Sequence, residues 1–112
     1  MKLEGRQKLV RIYVDEADQW KEQPLYEAIL ERAWKLGIAG ATVMKGIVGY
    51  GCKSHVRAAN SHTEDRPVCI EIVDTAEHVA KLQPVLDEMV KEGLVTMEDV
   101  DVVLYRTEGA KR

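Results

Sequence analysis

Apolar positions along this chain switch between a period of two and a period near 3.6. Lys8–Val14, KLVRIYV, alternates with Val10, Ile12 and Val14 on one side, the repeat of a half-buried strand. DEADQWKEQ is polar and predicts a turn. Pro24 then stands where a helix accepts proline as its first residue, because φ is already fixed and the missing N–H would find no partner there. From Leu25 to Leu36 the residues Leu25, Ile29, Ala33 and Leu36 recur at helical spacing opposite Glu27, Glu31 and Lys35, and Gly37 is a natural stop. Tyr26, Leu30 and Trp34 make a second stripe, either part of a broad buried face or a face that also meets a neighbouring subunit.

Ala41–Val48 and Pro67–Val73 predict the second and third strands, with Pro67 at a first position where a missing N–H is tolerable. Asp74 or Thr75 can cap a second helix, whose stripe is Val79, Leu82, Leu86, Met89 and Val90. Pro84 interrupts that stripe and predicts a kink or two short helices, and Gly93 ends it. Leu94–Asp99 then reads as a connector and Val100–Tyr105 as the fourth strand. The order β-α-β-β-α-β predicts an α+β, ferredoxin-like fold, a four-stranded antiparallel sheet with both helices on one face, as one domain over residues 1–112. The other face is left uncovered, with Tyr13, Val103 and Tyr105 on it. Apolar area of that kind marks an interface, here between copies of the chain.

Composition changes this picture little: 46% of residues are hydrophobic and 31% charged, an ordinary globular balance. No apolar run reaches the roughly 18–20 residues of a membrane span, and MKLEGRQKLVRIYV has no cleavage-like site. Cys52 and Cys69 have no recognisable spacing and read as reduced thiols, so a cytoplasmic protein is expected. Charge is more telling. Residues 1–44 are balanced, residues 45–63 carry Lys45, Lys53 and Arg57 with no acid, and residues 64–112 hold twelve acids against six bases. The acidic remainder argues against a nucleic-acid binder, and the local basic loop suits a small anion or an acidic partner.

That loop lies in MKGIVGYGCKSHVRAANSHTEDR. Gly46, Gly49 and Gly51 let a ligand approach main-chain N–H groups, and Lys45, Lys53 and Arg57 add charge-assisted hydrogen bonds to phosphate. The alternative is that Gly49-Tyr50-Gly51 is only the end of a strand. Cys52, His55 and His62 could converge on zinc or copper, although spacings of three and seven fit no standard site. Cys52 with His55 is the one local nucleophile–base pair, and GxSxG, HExxH and Walker-lysine motifs are absent, so no enzyme is expected.

With MKGIVGYG, a long loop, RPVCIEIVD and VLDEMVKEGLVTMEDVDVVLYR in order, residues 6–106 resemble domain-of-unknown-function family 190, small bacterial and archaeal proteins similar to the PII signal-transduction proteins. The resemblance implies a homotrimer whose sheets pack around a central axis, with adenine nucleotides in the clefts between subunits. It also implies a T-loop, here residues 49–65, that grips a partner such as a membrane transporter, a channel or an enzyme. On this resemblance Lys45-Gly46 opens the T-loop and Gly49-Tyr50-Gly51 is its base. Lys53, the connector beginning at Gly93, and Arg106 near a phosphate-contacting position complete the implied nucleotide site, while His55, Arg57 and His62 fall on the partner-binding loop. ATP, ADP, AMP, a cyclic nucleotide or bicarbonate are the implied effectors. The connector GLVTMEDVD departs from the GxGK-like loop of PII proteins and, being acidic, is a poor phosphate clamp. Two other readings remain: a trimer resembling the CutA divalent-cation proteins, with Cys52, His55 and His62 as ligands, and an adaptor without a ligand.

Overall fold

A computed structural model describes residues 3–50 and 66–108. Strand β1, Gly5–Asp15, is the centre of the sheet. Two two-residue strands follow, β2 at Gln19–Trp20 and β3 at Gln23–Pro24, paired across a turn in which Lys21 has a positive φ of 56°. The turn expected in this region is thus tightened into a small hairpin. Upstream of it, the Asp15 carboxylate accepts from the Ala17 N–H at 3.0 Å and the Asp18 carboxylate from the Asp15 N–H at 3.0 Å, local bonds by which aspartate builds turns.

Helix α1 is Leu25–Lys35, with Pro24 as N-cap. Its C-terminus closes in a Schellman motif: Gly37, at φ +81°, donates to the Trp34 carbonyl at 3.0 Å and Ile38 to the Ala33 carbonyl at 3.1 Å. Leu25, Ala28, Ile29 and Ala33 are its buried residues. The second stripe divides, with Tyr26 and Leu30 partly buried and Trp34 82% exposed.

Strand β4 is Ala41–Lys45, three residues shorter than its small and β-branched residues predict. Gly46 extends the pairing by one bond, donating its N–H to the Pro67 carbonyl at 2.7 Å, and beyond it Ile47 and Val48 leave the ladder and are exposed. Strand β5, Pro67–Asp74, matches its expected span within one residue. Helix α2 is Ala76–Met89, capped by the Thr75 hydroxyl, which accepts from the His78 N–H at 3.2 Å. It is one continuous helix and not two. Pro84 and Ala80, whose carbonyl loses its usual donor, are both exposed, so water can take the place of the missing bond. The helix ends at Met89 rather than at Gly93.

The last strand, β6, is Leu94–Val102, which overturns the connector expected at Leu94–Asp99 and the strand expected at Val100–Tyr105. The acidic residues that read as loop are cross-strand partners of β1. Lys8 lies opposite Asp99 and donates to it at 2.5 Å, Arg6 reaches Asp99 at 3.3 Å, and Arg11 reaches Glu98 at 2.8 Å. Val103 and Tyr105 therefore fall beyond the strand, not on its open face.

The main sheet is antiparallel with order β4-β5-β1-β6. Val10, Ile12 and Val14 of β1 and Val68, Ile70 and Ile72 of β5 pack under both helices in one core with Ile29, Leu82, Leu86 and Met89. Each fully buried Ile or Leu there contributes about 2 kcal/mol. Arg32 of α1 reaches Glu88 of α2 at 3.4 Å above it. Asp74 is the buried polar residue among those described. Its carboxylate accepts from the N–H groups of Ala39 (2.8 Å) and Thr75 (2.6 Å) and contacts the His78 ring at 3.0 Å, which joins the ends of β5 and α2 to the loop before β4. No helix of the described residues is long and apolar enough to cross a membrane.

Candidate functional site

The register defines one end of the sheet. Lys45 lies opposite Val68, Val68 opposite Val14, and Tyr13 opposite Leu94, so the exit of β4 and the entry to β6 share that end. They lie on opposite edges of it. Three strand spacings, about 14 Å, separate β4 from β6.

At the β4 edge the chain is held tightly. A Cβ on Gly46 would come 2.8 Å from the Pro67 ring, and Glu16 donates its N–H to the Arg66 carbonyl at 2.8 Å. The Lys45 ammonium is ion-paired with Glu16. Beyond it Ile47, Val48 and Tyr50, the last 77% exposed, present apolar surface at the mouth of the following segment. At the β6 edge Gly93 packs its Cα against β1, where a Cβ would come 2.6 Å from the Tyr13 carbonyl oxygen.

Of the residues the sequence nominates, Lys45, Gly46, Gly49, Tyr50 and Gly93 are placed at this end. Arg106 is not brought to them within one chain. It follows the far end of β6, where Val102 pairs with Gly5, and the strand alone spans about 26 Å. Gly51, Cys52, Lys53, His55, Arg57 and His62 lie outside the described residues, and with them the alternative metal ligands. Glu16 was not singled out by the sequence and Pro67 only as the first residue of a strand, since their roles here follow from contacts across the sheet.

The face away from the helices carries a second set. One row reads Met44, Cys69, Tyr13, Leu94 and the next Thr42, Glu71, Arg11, Thr96. Arg11 bridges Glu71 at 3.0 Å and Glu98 at 2.8 Å, and the Glu71 hydrogen bond leads in raising its already high pKa. Burial pushes the Cys69 thiol up, so it stays protonated at neutral pH. Tyr13 is 41% exposed, with Met44 and Leu94 also exposed beside it. The uncovered apolar face expected from the strand pattern is present, built around Tyr13 rather than Val103.

Comparison with solved structures shows which fold this arrangement has. A Thermus thermophilus protein described as PII-like signalling superposes with TM-score 0.67 at 20% identity, covering 92% of this chain and 94% of that one. The CPII protein of Thiomonas intermedia K12, bound to ADP, AMP and acetate, superposes with TM-score 0.63 at 19% identity, covering 91% and 92%. The fold is PII-like.

Sequence comparison is more specific. The model of domain-of-unknown-function family 190 (DUF190, Uncharacterized ACR) matches residues 7–102, and this chain belongs to that family. A UPF0166 protein of Aquifex aeolicus (strain VF5) is 36% identical over 102 residues, 88% of this chain and 94% of that protein.

Proposed function

We propose that this chain is a non-enzymatic, cytoplasmic, PII-like homotrimeric regulator. It binds a small anionic effector, an adenine nucleotide, in the crevice between adjacent copies and signals through the 49–65 segment to a partner such as a membrane transporter or channel. One observation carries the reading. Lys45 and Gly46 share an end of the sheet with Gly93 but occupy its opposite edge, so two neighbouring copies, not one, bring them together. The exposed face around Tyr13 supplies the surface on which copies close. The nucleotides in the Thiomonas protein support adenine as the base, on a shared fold.

In this reading the effector's phosphate takes Lys45 from Glu16 while Tyr50 offers a ring at the crevice mouth. Gly46 shapes the site rather than donating to it, because its N–H already serves Pro67. Arg106 enters only if a neighbouring copy supplies it. Regulation follows when the effector contacts one state of the 49–65 segment and not another, since equal affinity for both shifts nothing. Isothermal titration of the intact chain with ATP, ADP, AMP and a cyclic dinucleotide tests this. Saturable binding is expected for at least one, weakened about tenfold in Lys45→Ala, the loss of one charge-assisted hydrogen bond. No binding of any of them at millimolar concentration overturns the effector assignment.

A further inference from the structure

If copies close their open faces around an axis, the β4 edge of each must lie against the β6 edge of the next, a heterologous interface that joins two different patches. Those patches differ in shape. On the β4 side, α1 projects Trp34, 82% exposed, beside Ala41 at the edge of the sheet. On the β6 side a groove of about 350 Å³ opens between α2 and the edge strand, lined by Val79, Leu86, Val90, Val95 and Met97. One lateral face therefore carries an apolar projection and the other an apolar recess.

We infer that Trp34 of one copy seats in the α2–β6 groove of the next, and that this contact sets the order in which copies close the ring. Three further observations favour a second copy as the occupant. β6 is nine residues long with almost every residue exposed, an edge that proteins normally cover. β4 and β6 run in opposite directions, so edges brought together by rotation meet antiparallel, the pairing that sheets extend readily. Charge agrees as well: exposed Lys35 follows Trp34 on α1, and exposed Asp87 stands in the groove wall. A Trp in a desolvated pocket is the kind of residue that dominates an interface.

The inference rests on the homotrimer reading, and the test separates the two. Sedimentation velocity over a range of concentrations is compared for the native chain, Trp34→Glu and Met97→Glu, with circular dichroism as the folding control. Both side chains are exposed in the single chain, so neither change disturbs its core. The native chain is expected to be a trimer, and each variant to associate at least about tenfold more weakly. A chain carrying Trp34→Cys and Met97→Cys, with Cys52 and Cys69 changed to Ser, is expected to form disulfide-linked oligomers when a two-electron thiol oxidant such as diamide is added. A native trimer whose two variants associate normally, or a double-cysteine chain that yields no linked species, overturns the Trp34 contact and leaves the trimer standing. A native monomer overturns both.

Discussion

Gly93 illustrates how a glycine can answer a demand of packing. Its missing side chain lets the start of β6 come against the backbone of β1, where a Cβ would be 2.6 Å from the Tyr13 carbonyl oxygen. The obstacle is backbone, so no rotamer change relieves it. Gly93→Ala is expected to destabilise the chain by about 2 kcal/mol, read as a lower urea midpoint with an unchanged slope. Gly46 is restricted by the Pro67 ring instead, a softer neighbour at 2.8 Å. Asp99 gives a second expectation at this scale. The hydrogen bond from Lys8, with a second from Arg6, holds its carboxyl below the ordinary 3.8. A depressed carboxyl contributes stability above its unfolded value and loses it as pH falls through the folded one. Asp99→Asn is therefore expected to lose less stability than the native chain on acidification from pH 5 to 2, measured by urea unfolding at each pH.

At the scale of elements, helix α2 and strand β6 show the two ways in which local signals mislead. Pro84 removes one helical hydrogen bond, yet Val79, Leu82, Leu86 and Met89 keep the helix continuous by burying a single stripe. Tertiary packing thus outweighs a local break. Restoring the donor with Pro84→Ala is expected to raise stability by roughly 1–3 kcal/mol, since both Pro84 and Ala80 face water and nothing else need move. Thermal unfolding followed by circular dichroism checks it. In β6 the acids Glu98, Asp99 and Asp101 are unusual for a strand, but Glu98 and Asp99 are ion-paired with Arg11, Lys8 and Arg6 across the ladder, and Asp101 lies opposite Arg6.

At the scale of the whole molecule, the exposed row of Met44, Tyr13 and Leu94 beside the Arg11 cluster is the surface that closure around an axis would cover. Arg11, already paired with Glu71 and Glu98, brings its own positive charge into such an interface with partners, although the two carboxylates leave the cluster one negative charge in excess. Tyr13→Glu adds an acid with no such partner to the middle of that face. If copies close on that face as proposed, it is expected to shift the oligomer toward monomer at micromolar concentration, read by light scattering, while helical content is retained. Loss of effector binding should accompany that shift if the crevice is made by two copies.

The sequence by itself determined the βαββαβ order, the helix-side core and the uncovered sheet face, because burial on one side of a strand or helix leaves a period that can be read residue by residue. Val10, Ile12 and Val14, or Leu82, Leu86 and Met89, announce their own environment. Family membership was legible as well, since contiguous stretches such as RPVCIEIVD carry it. The tertiary structure alone decided where β4 stops, that GLVTMEDVD is strand and not connector, and that Lys45 answers to Glu16. It also set Gly93 on the opposite sheet edge from Gly46 and turned Trp34 outward. Each of these depends on a partner distant in the chain, and a one-dimensional pattern records how a residue alternates with its neighbours but not which strand lies across from it.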